Sequence, residues 1–434
     1  MDIRIPENVQ LILDRLKEYG SIGYVVGGCV RDSFLGRDPN DWDITTPLLP
    51  EVVKNLFNDY QVIETGIKHG TITIIIDNEQ YEITTFRIDG EYSDGRHPDN
   101  VHFTDRLEED LKRRDFTINA MAYNPDVGLV DLFNGMADLE DGVIRCVGSP
   151  VDRFHEDGLR ILRALRFAIT LGFRIENQTS YYMELCKCFL SNVSKERICS
   201  ELCKIMRTKF PSSFRCLYNC LDLFYCLTPY FEDKIHSAHT IFEHHAVVES
   251  LIATNRDDDM IVRFALLMQY TENPKDELMD IRLDNASIKS ILHLLSNKDK
   301  YKDISYEEVE RKYFVRRLIS EIGYKDTRRL FSFWKSRIYV GTPINKFYFL
   351  KTINQMEYDA GIIVTNNDCC SLDKLDISGD DLIEIGYEPS KEIGDVLKLL
   401  LDQVLHDPYK NKKHWLVKWA KDLKENQEEM QDSN

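Results

Sequence analysis

The first 142 or so residues contain several short runs of β-branched and aromatic residues. Tyr24–Val26 is one such run, and its composition favours a buried strand. Two longer runs, over 70–77 and 81–86, are separated by a polar turn that begins at Asn78, and this pattern predicts a hairpin. This part of the chain is therefore predicted to hold a small mixed β-sheet together with helices.

The pattern changes twice further along the chain. A polar, glycine-containing stretch over 87–105 predicts a long loop, and long loops in compact domains are often functional. From about residue 143 onward the strand patterns fade and the periodicity becomes helical, with breaks near several prolines. Together these patterns predict the α+β fold class, with a mixed head followed by all-helical segments.

Length and composition narrow the class of protein. The 434 residues suffice for two to four compact units, and 43% apolar and 29% charged residues are ordinary for a soluble globular protein. No run of about 18 uncharged apolar residues is present, so no membrane span is expected, and the first six residues do not resemble a signal peptide. The 11 cysteines include no C-x-x-C pair, which favours reduced thiols in a cytoplasmic protein.

Charge is unevenly distributed. A net charge of −18 argues against non-specific affinity for nucleic acids. Two segments are nevertheless basic: residues 151–210 hold 11 Lys/Arg against 7 Asp/Glu, and residues 410–424 interleave lysines with Trp415 and Trp419. The second segment fits either a docked amphipathic helix or a contact with RNA phosphates.

A pair of glycines follows the first predicted strand and precedes a short helical pattern over 30–35. Glycine permits a tight turn and a close backbone approach, at Gly28 in particular. A helix that begins just after such a turn points free N–H groups at an anion, and Arg31 adds a planar fork for phosphate oxygens. An ordinary surface turn has the same pattern, so the turn permits a phosphate site without requiring one.

Two carboxylates follow ten and twelve residues after Arg31. Asp41 and Asp43 lie two residues apart, so in an extended segment they point to the same side. Carboxylates in this arrangement suit Mg²⁺, which takes one or two of them together with substrate phosphates. A solvated loop is the simpler interpretation of the pair alone, but its combination with the glycine turn indicates an enzyme that transfers a nucleotide.

A second group of polar residues consists of Arg114, Asp115 and Asn119. Their spacing is typical of a helix start that Asp115 would cap. Functionally, Arg114 could hold a triphosphate, while Asp115 and Asn119 could hydrogen-bond ribose hydroxyls. A capped helix with surface arginines accounts for the same pattern.

A third group lies on a predicted amphipathic helix, where Asp157 and Arg160 are three residues apart and therefore neighbours. Cytosine and adenine present an amine donor beside a ring-nitrogen acceptor, and uracil and guanine present the reverse. A carboxylate only accepts and a guanidinium only donates, so this pair would complement C and A and oppose U and G. Arg163 and Arg166 continue the row, although a salt-bridged surface helix would show the same spacing.

With these elements in this order, the chain resembles the class II tRNA nucleotidyltransferases, the CCA-adding enzymes, and their poly(A) polymerase relatives. The matching motifs are GG-x-x-RD, D-x-D, RRDFTINA and EDxxR, with further family elements at 131–139 and 193–202. The match covers roughly residues 20–210. The resemblance implies a nucleotidyltransferase catalytic head over 1–142, a helical neck for base recognition over 143–210, a helical body over 211–330, and a helical tail that contacts tRNA over 331–434.

The resemblance also implies roles for individual residues. Asp41 and Asp43 match the carboxylates that bind the catalytic Mg²⁺, and Glu82, on a predicted strand, is a candidate third catalytic carboxylate. The implied nucleotide-binding residues are Gly28, Arg31, Arg114, Asp115, Asn119, Asp157, Arg160, Arg163 and Arg166.

The family divides by product, and the stretch over 87–100 bears on that division. Enzymes that add only CC lack a flexible loop at this place, so its presence implies competence for adding A. The expected reaction is therefore addition of CCA to the 3′ end of tRNA from CTP and ATP. An A-only tRNA nucleotidyltransferase or a poly(A) polymerase is the alternative, and a non-catalytic RNA-binding or degenerate phosphohydrolase protein is a distant one.

The second half departs from part of the family pattern. Some relatives carry a metal-dependent phosphohydrolase region with an adjacent His-Asp pair. Here His244 and His245 match its first histidine, but Gln269 and Tyr270 stand where the pair would fall. We therefore expect a metal-free structural body in which these histidines, like His239, are packed or lie on a helix surface. The oligomeric state does not follow from the sequence.

Overall fold

The structure is a computed structural model that describes residues 3–90, 100–219, 238–255, 259–304, 307–340 and 345–432. The chain forms two compact units, of which the first comprises Met1–Ile241 with Glu277–Leu283 and the second Phe242–Asp276 with Asp284–Asn434. The finer division into head, neck, body and tail stays a prediction. Residues 91–99, the centre of the stretch implied to govern A addition, lie outside the described residues.

A seven-stranded mixed sheet lies in the first unit. Its strands are β1 Tyr24–Val26, β2 Asp43–Thr46, β3 Gln61–Ile63, β4 Thr71–Ile76, β5 Glu79–Thr85, β8 Met121–Asn124 and β9 Gly128–Asp131, and two small sheets pair β6 Arg87–Asp89 with β7 Val101–Phe103 and β10 Val143–Ile144 with β11 Arg174–Ile175. The strand order is β3-β4-β5-β2-β1-β8-β9, in which only β2 and β5 are parallel neighbours. Because β2 and β5 are parallel neighbours, Asp43 at the start of β2 lies beside β5, the second strand of the predicted hairpin.

The hairpin and the first strand form as predicted. Asp77 and Asn78 both adopt positive φ, 52° and 64°, which is the conformation of a type I′ hairpin turn. Burial alternates along β4 and β5, as expected for strands with one covered and one more open face. Val26 and Ala122 pack with Leu111 in a buried cluster, so a helix covers the centre of the sheet.

Nine α-helices lie in the described part of the chain up to residue 219. They are α1 Glu7–Glu18, α2 Gly28–Phe34, α3 Pro50–Leu56, α4 Leu107–Lys112, α5 Gly135–Glu140, α6 Pro150–Glu156, α7 Leu159–Leu171, α8 Asn177–Leu185 and α9 Lys195–Met206. Helix α2 therefore begins two residues before the predicted start. The apolar stripe of α7 is fully buried, with Leu162, Leu165 and Ile169 all 0% exposed, as its periodicity predicted.

The predicted loop over 87–105 is wrong at both ends. β6 and β7 pair antiparallel, with Arg87 opposite Phe103 and Asp89 opposite Val101. The polar composition concealed this ladder, because backbone hydrogen bonds hold such a short ribbon without a continuous apolar face.

Every regular element that the structure describes from residue 238 onward is a helix. Its helices are α10 Ala238–Ile252, α11 Met260–Leu267, α12 Pro274–Asp280, α13 Asn285–Ser296, α14 Glu308–Val340, α15 Lys346–Thr365, α16 Gly379–Glu384, α17 Lys391–His406 and α18 Lys413–Asp432. Helix α14 is broken at Gly323, whose φ of 78° and ψ of 157° are not helical. None of the described helices has the length and apolar character needed to cross a membrane. The predicted α+β class, with a mixed sheet followed by helices, is confirmed.

Candidate active site

The glycine turn after β1 is a close-packed feature of the site. Gly27 has φ 81° and ψ −125°, a conformation that side-chain-bearing residues rarely adopt, and it directly precedes α2, which begins at Gly28. A Cβ on Gly27 would lie 3.0 Å from Nη1 of Arg114. The turn therefore lets the guanidinium of Arg114 approach the backbone directly.

The three predicted catalytic carboxylates lie on or just before two neighbouring strands. Asp43 opens β2 and is the register partner of Glu82 in the parallel strand β5. Trp42 is buried, whereas Asp41, Asp43 and Glu82 are exposed, so the alternation places Asp41 and Asp43 on one side as predicted. Glu82 thus lies beside the predicted metal pair, although its catalytic role stays a prediction.

The electrostatics of this carboxylate group fit a divalent cation. Partial desolvation raises the pKa of Asp43, with Arg114 opposing the rise and Asp41 adding to it. Desolvation also raises the pKa of Glu82, reinforced by the charges of Asp43 and Asp41. Negative charge here is thus unfavourable until a cation balances it. Among the described residues no group of three or more His, Cys, Asp or Glu side chains could by itself hold a metal ion.

Arg114, beside these carboxylates, has hydrogen-bond donors that the described residues do not use. Its Nε is buried and has no hydrogen-bond partner among the described residues. Its Nη2 lies 3.4 Å from Oδ2 of Asp110, at the long end of the hydrogen-bond range. A buried donor without a partner is costly, so this arginine is suited to an oxyanion ligand such as a phosphate.

Arg31 is engaged differently from the predicted phosphate fork. Its Nε and Nη2 donate to Asp32 at 2.9 and 2.8 Å, and its Nη1 donates to Oδ1 of Asn119 at 2.6 Å. The guanidinium is buried and already faces a neutralising carboxylate. The adjacent Asp32 explains the difference, because a bidentate partner one residue away occupies the edge that a phosphate would use.

Asp115 does not cap a helix, contrary to the sequence-based expectation. The chain is extended at Phe116 and then makes a single 3₁₀ turn over Thr117–Asn119. Asp115 Oδ1 accepts from the Phe116 amide at 2.8 Å and from Nδ2 of Asn119 at 3.0 Å. Its Oδ2 accepts from Nε and Nη2 of Arg163 at 2.8 and 2.7 Å. Asp115 thus ties this turn to helix α7.

Burial alone would raise the pKa of Asp115. Arg163, the amide of Asn119 and the charge of Arg160 outweigh it and hold that pKa well below its ordinary value. Asn119 has its carbonyl on Arg31 and its amide on Asp115. The predicted ribose contacts of Asp115 and Asn119 would therefore have to use the lone pairs that these bonds leave.

A single phenyl ring lies beneath three of the predicted arginines. The guanidinium carbons of Arg166, Arg31 and Arg163 lie 3.8, 4.9 and 5.5 Å from the centroid of the Phe167 ring. A guanidinium over an aromatic face is attracted by the ring quadrupole. Phe167 is almost fully buried, and its contact with Arg31 joins α7 to α2, the helix that follows the glycine turn.

Asp157 and Arg160 do not share a helix surface as predicted. Helix α6 ends at Glu156, Asp157 is extended with φ −149°, and α7 begins at Leu159. Asp157 accepts the Leu159 amide at 3.1 Å, so it caps the new helix and breaks the old one. Gly158 follows, and a Cβ there would lie 2.6 Å from the carbonyl oxygen of Phe189, so the close approach of these two segments requires a glycine.

Each member of the predicted base-reading pair has its own protein partner. Asp157 accepts from Nη1 and Nη2 of Arg197 at 3.2 and 2.7 Å. Arg160 donates through Nη1 to Glu156 and through Nη2 to the Arg113 carbonyl. The two side chains are thus held separately at the start of α7, and the Nε–H of Arg160 donates to no described residue.

The sequence matches models of two protein families and is similar to enzymes from bacteria. A model described as "Poly A polymerase head domain" matches residues 23–145, and one described as "Probable RNA and SrmB- binding site of polymerase A" matches residues 172–234. The CCA-adding enzyme of Ligilactobacillus salivarius is 32% identical over 95% of this chain and 96% of its own length. That of Lactococcus lactis is 34% identical over 92% and 93%. The chain belongs to the CCA-adding enzyme family.

The fold agrees with this family. The crystal structure of the Bacillus stearothermophilus CCA-adding enzyme in complex with CTP covers 98% of this chain and 100% of its own, with a TM-score of 0.77 at 25% identity. The resemblance to the CCA-adding enzymes and poly(A) polymerases stated from the motifs is thereby confirmed.

Several residues that organise the site were not predicted. Arg197 holds Asp157, Glu201 accepts from Arg166, and Glu156 accepts from Arg160. Arg197 and Glu201 lie four residues apart on α9, a spacing that places both on one helix face. That spacing was visible in the sequence, but nothing in a single sequence indicates which distant helix such a face meets.

Proposed function

We propose that the chain adds C, C and A in turn to the 3′ end of tRNA, using CTP and ATP. The observation that carries this proposal is the full-length similarity to CCA-adding enzymes, one of them solved with CTP. In the reaction the tRNA 3′-oxygen forms a bond to the α-phosphorus, and the bond from the α-phosphorus to the oxygen that bridges to the β-phosphate breaks. Pyrophosphate leaves with that bridging oxygen, and the proton of the 3′-hydroxyl passes to water. A cytoplasmic location is expected for this activity.

Asp41 and Asp43 are the residues that would hold Mg²⁺, with Glu82 beside them. Mg²⁺ bound there would neutralise charge on the reacting phosphates. Support comes from the raised pKa values of Asp43 and Glu82, which mark a place where unbalanced negative charge is unfavourable. The proposal assigns Asp41 and Asp43 to catalysis, and Glu82 to the same group as its third member.

Arg114 binds the triphosphate in this proposal. Its buried Nε has no partner among the described residues, and the missing side chain of Gly27 lets Nη1 lie against the glycine turn. Three further arginines shape the site indirectly, because each is already bound to a protein carboxylate or amide: Arg31, Arg163 and Arg166. In this proposal they hold α7 close to the glycine turn. Gly28, which opens α2, completes the turn.

Asp157 and Arg160 read the base in this proposal. Asp157 offers only acceptors and Arg160 only donors, a combination that fits the Watson–Crick edges of C and A and leaves charges unpaired against U and G. Asp115 binds Arg163 and Asn119, and in this proposal Asp115 and Asn119 hydrogen-bond the ribose hydroxyls. The same proposal divides the chain into four parts: a head over 1–142, a neck over 143–210, a body over 211–330 and a tail that contacts tRNA over 331–434.

One assay tests the function. A tRNA lacking its last three nucleotides is incubated with Mg²⁺ and with CTP, ATP or both, and the added nucleotides are sequenced. Addition of CC with CTP alone and of CCA with both nucleotides is expected. A lone A on a CC end or a long A tail would identify the alternative reactions of the family, and the absence of any addition by wild type would overturn the proposal.

A further inference from the structure

A fully buried carboxylate lies behind the catalytic strand. The side chain of Asp110, on α4, is 0% exposed. Its Oδ1 accepts from Nε and Nη2 of Arg113 at 3.0 and 2.8 Å, and its Oδ2 lies 3.4 Å from Nη2 of Arg114. The same Oδ2 is 3.4 Å from the hydroxyl of Thr45, two residues along β2 from Asp43. Asp110 therefore touches both the strand that carries a predicted metal ligand and the arginine with unused donors.

Arg114 is placed by contacts on two sides. Asp110 meets its Nη2, and the backbone of Gly27 leaves room for its Nη1. Its Nε is buried without a partner in the described part of the chain. Nothing else among the described residues pairs with this guanidinium by hydrogen bond or ion pair, so its orientation depends on Asp110.

The charge balance around Asp110 has a further consequence. Asp110 pairs with two guanidinium groups: Arg113 has a second carboxylate in Asp89, 3.6 Å from its Nη1, whereas Arg114 has no other carboxylate within ion-pair distance among the described residues. Burial would raise the pKa of Asp110, but Arg113 and Arg114 outweigh it and lower that pKa. Without the Asp110 carboxylate, Arg113 would keep its pairing with Asp89, whereas Arg114 would be drawn to the exposed carboxylates at Asp41 and Asp43.

We propose that Asp110 is a positioning residue for nucleotide binding, which holds Arg114 so that its remaining donors face the triphosphate. The inference rests on the proposed function and assigns to Asp110 a role in binding rather than in the chemical step. Because it acts on the phosphates and not on the base, it affects CTP and ATP alike.

The test uses Asp110→Asn in the full-length protein, which removes the charge and nearly preserves the shape. Equilibrium binding of CTP and ATP is measured by titration calorimetry without tRNA, and steady-state KM and kcat are measured with tRNA. We expect about tenfold weaker binding of both nucleotides, the scale of one charge-assisted hydrogen bond. KM should rise by a similar factor while kcat at saturation falls less.

A matched control separates positioning from general stabilisation. Asp359 is another buried carboxylate bound to an arginine, with Nε of Arg311 2.7 Å from its Oδ2, and it belongs to the second unit. Asp359→Asn should lower the unfolding temperature and leave nucleotide affinity unchanged. Asp110→Asn should add no further loss of affinity in an Arg114→Ala background, because its effect passes through Arg114.

Several results would overturn the inference. They are affinities of Asp110→Asn within about twofold of wild type, a loss confined to one nucleotide, or a further loss in the Arg114→Ala background. Failure of both Asp110→Asn and Asp110→Glu to fold would also count against it, because positioning requires a fold that stands without this carboxylate. If wild type binds CTP but adds no nucleotide, the proposed function is wrong. The binding measurements on Asp110→Asn would still decide whether Asp110 positions Arg114.

Discussion

The bond between Asp115 and Arg163 allows a quantitative prediction. Asp115→Asn keeps the acceptor that meets the Phe116 amide and Asn119, but it turns an NH₂ group toward the two donors of Arg163. Two donors then face each other where a charge-assisted double hydrogen bond existed, at 2.8 and 2.7 Å. Because Asp115 is buried, water cannot readily replace the lost acceptor.

The expected loss follows from the burial of each partner. Removing one member of a buried ion pair costs about 3–5 kcal/mol. The side chain of Arg163 is 32% exposed and recovers part of its hydration, so we expect a loss of about 2–3 kcal/mol. For a unit of this size that corresponds to a fall of roughly 4–12 °C in the unfolding temperature.

A double-mutant cycle checks whether the loss belongs to this pair. Unfolding of wild type, Asp115→Asn, Arg163→Gln and the double variant is followed by circular dichroism at pH 7. The double variant should lose about 1–2 kcal/mol less than the sum of the single losses. Losses that add to within about 0.5 kcal/mol would refute the coupling.

The same pair predicts a pH dependence with a definite sign. The folded pKa of Asp115 is depressed, so the unfolded state binds its proton at higher pH than the folded state. The stabilisation is therefore complete above the ordinary aspartate pKa of about 4 and is lost as pH falls toward the folded pKa. The stability difference between wild type and Asp115→Asn should be constant from neutral pH to about 5 and shrink below about 4. A difference that grew on acidification would contradict the assignment.

Three further changes test other parts of the site. Asp43→Asn should abolish nucleotide incorporation without lowering the unfolding temperature, because the raised pKa of Asp43 means that its charge is disfavoured in the fold; turnover by this variant would contradict the metal assignment. Gly27→Ala should cost about 1–3 kcal/mol at its φ of 81° and, by displacing Arg114, raise KM for CTP and ATP together. Arg197→Lys keeps the charge but loses the double hydrogen bond to Asp157, so misincorporation of UTP and GTP should rise, and unchanged discrimination would exclude this role.

The sequence predicted the parts of the fold that depend on local patterning. The Tyr24–Val26 strand, the hairpin over 71–85 and the buried stripe of α7 each follow from periodicity and turn chemistry. The β6–β7 ribbon was missed because its residues are polar and its ladder is a matter of backbone hydrogen bonding. Periodicity reports which side chains are buried, and it carries no signal for a short strand that buries few of them.

The candidate site shows a different limit. Its residue types were predicted, but the partners of those residues were not, because an arginine on a helix can pair with any carboxylate that the fold brings near. Asp157 and Arg160 looked like a pair at helical spacing, yet the helix breaks between them and each binds another residue, Arg197 and Glu156. Under the proposed function, separate anchoring is an advantage for reading the base. Two groups neutralised by one another would have to break their own bond before meeting a nucleotide, whereas two groups fixed by neighbours keep their unused acceptors and donors available.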